Sequence, residues 1–424
     1  MKAYSTKAAS TMLIVSGAIA IGAEPTISDA ITDMAETISE NYVFPDVGER
    51  VSESLLSSLN NGSYDGLSGR KLADTLQEQI RDLTHDLHFG VRALPPNWAP
   101  PTSEESDGRR PGPSAPYGFT SVERLDGNIG YIDLRGFNRA SYIGETVEAA
   151  MQLIQGSSTV IIDLRRNSGG DPEAVQLISS YFFNPSESVH LNSLYSRPDD
   201  HTTEYWTHAN IDTSLAMPQV PIYVLTSNRT FSAAEEFTYN LKNLERATII
   251  GETTGGGAHP VDSYVFDNLF MVILPTARAI NPISGTNWEG TGVSPDIETD
   301  ADDALNVAMA QALEGAYERG DKSVRWGLAT IRARLNPIQV SMKDLTEYAG
   351  DYGQRHVRIS ENALQYRRDG VSDWRNLVCF ERDQFIIDGF DGFIMEFQRD
   401  NTGAIEGIAG LYQGGNTDFS DRDN

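Results

Sequence analysis

Apolar residues recur at Ile27, Ile31, Met34 and Ile38, three and four positions apart, which is the spacing of an amphipathic helix. The stretch Asn41-Tyr-Val-Phe-Pro45 ends that helix, because proline disfavours helical backbone in the residue before it. Helical periods resume over about Val51 to Leu59 and Leu72 to Leu83, with a Gly/Asn/Ser-rich turn between them. The pattern predicts a helical bundle over residues 24–92. Seven prolines between Pro95 and Pro116 then mark residues 93–117 as a linker. From Gly118 the chain alternates strand, turn and helix. Ile129 to Leu134, Val160 to Leu164 and Pro221 to Leu225 read as strands; Ile143 to Ile154, Pro172 to Tyr181 and Ser232 to Leu244 read as helices. This alternation predicts an α/β core over residues 118–320. Beyond Leu345, short alternating runs at His356, Ala363, Phe385 and Ile394 between Gly/Asp/Asn turns predict a small all-β domain over residues 340–424.

Composition narrows the picture. The 424 residues are 39% hydrophobic and 22% charged, which excludes a collagen-like, coiled-coil or wholly disordered chain. Lys and Arg number 33 against 60 Asp and Glu, a formal charge of −27. Such a surface argues against nucleic acid or an anionic membrane as partner. The single Cys379 excludes an intramolecular disulfide and a cysteine-rich zinc site. Lys2 and Lys7 precede an apolar run from Met12 to Ala23 that is too short to span a bilayer, which needs roughly 20 residues. Small residues at Ala18, Ala20 and Ala23 suit cleavage, so residues 1–23 read as an export signal and the expected location is periplasmic or extracellular.

Three segments carry candidate chemistry, each with a plain structural account beside it. In Asp163-Leu-Arg-Arg-Asn-Ser-Gly169-Gly170 a buried strand runs into a helix through two glycines. The glycines permit a tight turn, and they also leave backbone N–H groups open to an oxyanion. In Phe231-Ser232-Ala233-Ala-Glu235, Ser-x-x-Glu is the signature of a helix cap. It equally sets Ser232 at a helix start with the Ala233 amide beside its hydroxyl. Asp86-Leu-His88 and Trp288-Glu289-Gly supply a histidine and a carboxylate, the residue types that activate a serine, though spacing does not say whether they meet. No metal cluster or nucleotide loop is evident; His201 and His208 lie in a polar stretch without a third ligand. No cofactor is expected.

Taken together and in order, Tyr42-Val-Phe-Pro45, Asp86-Leu-His88, Gly130-Tyr-Ile-Asp-Leu, Asp163 to Gly170, Phe231 to Glu235, Gly251-Glu-Thr-Thr-Gly-Gly and Glu289 to Asp296 carry a resemblance. The chain resembles the C-terminal processing (tail-specific) serine peptidases, in the branch that includes interphotoreceptor retinoid-binding protein and the tricorn-protease core. The resemblance covers roughly residues 25–300. It implies a crotonase-like ββα spiral core behind a helical N-terminal domain, and peptide-bond hydrolysis through an acyl-enzyme. Two departures matter. The interval from Gly90 to Gly118 is too short for the PDZ domain many relatives carry. The lysine they place about 25 residues after the serine is absent, and His259 lies near that position. Lys242 sits ten residues along the Ser232 helix, about 15 Å away.

The resemblance therefore implies a Ser–His–Glu site: Ser232 as nucleophile, His88 as base and acid, Glu289 orienting His88, and the amides of Ala233 and of Gly169 or Gly170 as oxyanion donors. His259 is the runner-up base and Asp86 the alternative orienting group. The expected substrate is a peptide or unfolded protein tail; a homo-oligomer is left open. Two alternatives remain, a non-catalytic carrier of hydrophobic ligands on the same fold and an esterase. The complete Ser/His/Glu set favours catalysis, since a carrier has no need of all three.

Overall fold

The computed structural model describes residues 13–16, 26–96, 98–99, 118–208 and 211–423. The expected signal segment, apart from residues 13–16, and the linker between residues 100 and 117 lie outside these described residues. Those four residues form a short strand, β1 (Leu13–Ser16).

Three helices follow: α1 (Ile27–Asn41), α2 (Pro45–Asn60) and α3 (Gly69–Thr84). Thr26 caps α1 by accepting the Asp29 N–H, and Pro45 opens α2 where its missing N–H costs nothing. The buried stripe of α1 is Ala30, Ile31, Met34, Ala35 and Ile38, as the sequence period requires. These helices do not close a core alone. Their buried faces share one apolar cluster with Phe89 and Val91 and with Tyr264, Phe266, Phe270, Val272 and Leu274. The latter come from β10 (Val261–Phe266) and β11 (Phe270–Pro275), which with β2 (Gly90–Ala93) and β1 build a four-stranded sheet in the order β1-β10-β11-β2. An amphipathic helix must bury its stripe against something, and here the sheet face serves.

The α/β part contains β3 (Phe119–Leu125), β4 (Ile129–Leu134), α4 (Ala140–Ile154), β5 (Thr159–Asp163) and α5 (Pro172–Ser180). It continues with β6 (His190–Ser196), β7 (His201–Trp206), β8 (Ile222–Thr226), α6 (Ala233–Asn243), β9 (Thr248–Gly251), β12 (Ala277–Ile280) and β13 (Ile297–Glu298). Six of these strands form a sheet in the order β13-β9-β8-β5-β4-β3, and β9 runs parallel to both β8 and β13. Every residue of β4 and β5 is buried, which suits strands covered on both faces. A three-stranded sheet has the order β12-β6-β7.

After α7 (Ala304–Glu318), α8 (Arg325–Leu335) and α9 (Met342–Tyr348), the chain forms an eight-stranded antiparallel meander. Its strands are β14 (Gly350–Tyr352), β15 (Arg355–Ser360), β16 (Ala363–Arg368), β17 (Arg375–Glu381), β18 (Gln384–Ile387), β19 (Phe390–Arg399), β20 (Ile405–Tyr412) and β21 (Thr417–Asp421), in that order. The last residues return to the first strand, since the Asp423 N–H donates to Asp351 O at 2.9 Å. Arg355, only 2% exposed, bonds Asp418 and Ser420 at 2.6 Å each.

The chain thus comprises two compact units. One takes its described residues from Met1–Val122, Ile132–Gln155 and Ile162–Glu298; the other takes them from Glu123–Tyr131, Gly156–Ile161 and Thr299–Asn424. No helix among the described residues is long and apolar enough to cross a membrane.

Leu76 has no exposed surface and packs in the cluster that joins helices to sheet. Leu76→Ala should cost about 2–5 kcal/mol, read by calorimetry as a lowered melting transition. An unchanged transition would mean that the helices and the sheet do not share a core.

Candidate active site

Strand β8 ends at Thr226, and the loop Ser227 to Phe231 carries the chain to α6. That loop is stitched to the segment after β5. Ser227 Oγ donates to Arg165 O at 2.6 Å, Thr230 Oγ1 to Leu164 O at 2.8 Å, and the Phe231 N–H to Asn167 O at 3.1 Å. Ser232 then takes φ 54 and ψ −124, a backbone conformation costly for a residue with a Cβ. This is not the extended geometry of an ordinary helix cap. The Ser-x-x-Glu spacing still ties the turn to the helix: the Ser232 N–H donates to the Glu235 carboxylate at 2.9 Å.

Gly169 and Gly170 lie directly behind this turn. A Cβ on Gly169, whose φ is +109, would sit 2.8 Å from Ser232 Cβ and 3.0 Å from Ala233 N. One on Gly170, at φ +144, would sit 2.0 Å from Phe137 O. Only glycine permits the approach. The Gly169 N–H is already donated to Asn167 Oδ1 at 2.8 Å, whereas the Ala233 N–H opens α6, where helix donors have no intrahelical acceptor.

Glu235 is fully buried and gathers four donors. Besides Ser232 N–H, its carboxylate accepts Thr254 Oγ1 at 2.5 Å, Gly256 N–H at 2.6 Å and Gly257 N–H at 2.8 Å. Burial pushes its pKa up, and these donors oppose the shift. Thr254 Oγ1 also accepts the Val293 N–H at 2.7 Å, which anchors the loop that bears Glu289.

The histidines divide differently from the sequence expectation. His88 follows a left-handed residue, His85, that ends α3; its backbone N–H donates to Asp86 Oδ1 at 3.0 Å. Its ring lies 4.6 Å from the Phe231 ring and over Gly257, where a Cβ would come within 2.5 Å of His88 Cε1. Both ring nitrogens are buried without a hydrogen-bond partner. Burial holds His88 down to about 4, with Asp86 opposing and His259 adding to the shift, so its imidazole is neutral near pH 7. His88 and Ser232 line one cavity of about 330 Å³, yet Ser232 Oγ bonds neither histidine.

The expected pairing of Glu289 with His88 is not formed. Glu289 Oε2 instead accepts the Ala258 N–H at 2.5 Å and lies 3.4 Å from His259 Nδ1. His259, 3% exposed, bonds Asp86 Oδ2 at 2.6 Å, and Tyr42 Oη reaches the same oxygen at 3.3 Å. The reason is one of reach: two carboxylates converge on the single ring nitrogen of His259, and the Ala258 amide fixes Glu289 there. Burial, then the charge of Asp86, lifts Glu289 to about 7. Asp86, His259 and Glu289 bring one donor atom each within 4.8 Å, a set able to hold a divalent cation.

Two contributions were not evident in the sequence. Glu235 read only as part of a helix cap, although its spacing from Ser232 was the available signal. Arg81 and Arg92, which line the Ser232 cavity, gave none.

Glu236, beside Ser232 on α6, is also buried and is pushed up to about 8 by desolvation. A carboxyl raised in the folded state contributes stability at low pH that is lost as pH climbs from its ordinary value toward the raised one. Stability should therefore fall between about pH 5 and pH 8, and Glu289 adds to the fall up to about 7. Glu236→Gln should melt higher relative to wild type near pH 8 than near pH 5. An offset independent of pH would refute the buried-carboxyl account.

Comparison with known proteins gives two family matches. Residues 128–299 match the model for peptidase family S41, and residues 18–125 match that for the N-terminal domain of peptidase S41 in eukaryotic IRBP. The chain is 29% identical over 228 residues to the carboxy-terminal-processing protease of Bartonella bacilliformis, covering 52% of this chain and 47% of that protein. It is 24% identical over 180 residues to the chloroplastic carboxyl-terminal-processing peptidase 1 of Arabidopsis thaliana, covering 42% and 35%. It thus spans less than half the length of both relatives. A solved Parabacteroides merdae protein superposes with a TM-score of 0.50 at 18% identity, covering 67% of this chain and 96% of that one, a likeness of fold alone.

Proposed function

Because the chain belongs to peptidase family S41, we propose that it is a serine peptidase in which Ser232 is the nucleophile. One observation carries this reading: a serine in a strained backbone conformation opens a buried helix, across a shared cavity from a neutral histidine. Backbone strain of this kind persists where the surroundings hold it, and it commonly serves chemistry.

In this mechanism Ser232 Oγ attacks the peptide carbonyl while His88 takes its proton, and the acyl ester forms on Ser232. His88 then returns the proton to the departing amine, and water, activated the same way, hydrolyses the ester. The nearby charge of Asp86 stabilises the imidazolium that forms. The Ala233 N–H, helped by the Gly169–Gly170 strip, receives the developing oxyanion. Substrate binding draws His88 and Ser232 into hydrogen-bond range, since catalytic contacts are often long without substrate. Glu289 acts from its place beside His259, holding the charge balance of the group rather than touching His88.

The substrate is a peptide or an unfolded protein tail, processed near its C-terminus as the names of the relatives suggest, and the interval from Gly90 to Gly118 is too short to hold a PDZ domain at that place. The ββα-spiral description of the core belongs to the same reading, supported by the six-stranded sheet and its intervening helices. So does export, supported by Lys2, Lys7 and the apolar run that follows them.

A fluorophosphonate probe should label the wild-type protein and fail on Ser232→Ala. His88→Gln should slow labelling by about a thousandfold or more, with the melting transition retained. The labelling rate should fall as pH drops below about 7, because His88 and Glu289 must both be deprotonated. Labelling that persists in Ser232→Ala, or a well-folded wild type that never labels, would overturn the proposal, the latter in favour of a carrier.

A further inference from the structure

Asp86 follows α3, His259 precedes β10, and Glu289 lies in the loop between β12 and β13, yet each brings one donor atom within 4.8 Å of the other two. The Asp86 and His259 side chains are 1% and 3% exposed, and that of Glu289 is 18% exposed. His259 Nδ1 is 2.6 Å from Asp86 Oδ2 and 3.4 Å from Glu289 Oε2. The shorter contact is a hydrogen bond and holds one proton. The longer one is beyond hydrogen-bond length, so that proton does not serve Glu289. Glu289 Oε1 is buried and has no hydrogen-bond partner. Among the described residues, this one imidazole is the only basic group within ion-pair distance of either acid. Two carboxylates so far from water are costly unless positive charge is shared between them.

The spacing suits a metal ion. Ligand atoms about 2.0–2.1 Å from a tetrahedral zinc lie about 3.3–3.4 Å from one another, which matches the His259–Glu289 separation. Asp86 Oδ2 joins the same cation by drawing back from the ring by about 0.7 Å, as the shared proton leaves to solvent. The carboxylates are already aimed by outer contacts. The His88 N–H donates to Asp86 Oδ1 at 3.0 Å, Tyr42 Oη to Asp86 Oδ2 at 3.3 Å, and the Ala258 N–H to Glu289 Oε2 at 2.5 Å. The Phe44 ring stands edge-on to His259 at 5.4 Å and gives that side an apolar wall. An imidazole beside two carboxylates selects a cation of the zinc type over magnesium or calcium, which prefer oxygen ligands alone.

We propose that Asp86, His259 and Glu289 form a zinc-binding site whose occupation switches the Ser232 centre off. The site stands independently of the peptidase reading, and the switch rests on it. A cation held there takes up the Asp86 charge that stabilises the His88 imidazolium and adds positive charge nearby, so His88 no longer accepts the serine proton.

The test titrates the full chain, stripped with chelator, with zinc by calorimetry. Uptake should be one to one, and His259→Gln and Glu289→Gln should each weaken it by about tenfold or more. Cobalt(II) in place of zinc should give the strong visible absorption of a four-coordinate ion in wild type and lose it in His259→Gln. His356 is the competing candidate, since it lies between Asp351 at 2.7 Å and Asp369 at 2.9 Å. His356→Gln should therefore bind as wild type does. X-ray absorption of zinc-loaded His356→Gln needs no change at the site, so it serves even if a ligand variant loses its melting transition. One imidazole in a shell otherwise of oxygen is expected, and two or more would overturn the site. No uptake, or uptake unchanged in both ligand variants, would overturn it as well.

Saturating zinc should slow fluorophosphonate labelling of wild type by about tenfold or more, and chelator should restore it. Labelling that zinc does not slow overturns the switch. Uptake that depends on His259 in a protein that never labels leaves the site standing, and only the peptidase reading fails.

Discussion

The site depends on a single buried carboxylate. Glu235 has no exposed surface, and a carboxylate in that position is tolerable only when donors surround it. Its four donors come from the Ser232 turn and from Thr254, Gly256 and Gly257 on a separate glycine-rich strap. The strap runs beneath His88 and beside Phe231, closely enough that Gly257 could bear no side chain. Through Thr254 and the Val293 amide the same group reaches the loop that bears Glu289. Losing one partner would strand the others in a dry interior, so these loops are specified together.

A second arrangement sits against the first. Asp86 collects the His88 backbone N–H, the His259 ring and the Tyr42 hydroxyl, while Glu289 approaches His259 from the other side. Desolvation first, and then the nearby charge of Asp86, lift Glu289 toward neutrality. His259 moderates that shift. The His88 ring stays neutral, its two nitrogens without a hydrogen bond, in the cavity that the serine lines.

Much of the fold could be read from the chain because long helices repeat their apolar positions every three or four residues. The periods at Ile27, Ile31, Met34 and Ile38 and the runs around Ile143 and Pro172 correspond to helices of the structure. Buried strands such as Thr159–Asp163 announced themselves as nearly all-apolar runs. Strands β7 and β21 did not, because most of their residues face solvent and no apolar alternation marks them. Their place is fixed by backbone pairing with β6 and β20.

By itself, the sequence determined the local features of the site: a serine at the start of a helix, two glycines where backbones must nearly touch, and a glutamate three residues after the serine. Each follows from steric and hydrogen-bonding rules acting within a few residues. Which histidine meets which acid was decided by the tertiary structure. His259 and Asp86 are 173 residues apart, and His259 and Glu289 come from different loops. Their partnership depends on sub-ångström placement by packed strands, and nothing in residue type or spacing encodes it. The same holds for Arg81 and Arg92, ordinary surface residues by sequence, which folding brings to the wall of the Ser232 cavity.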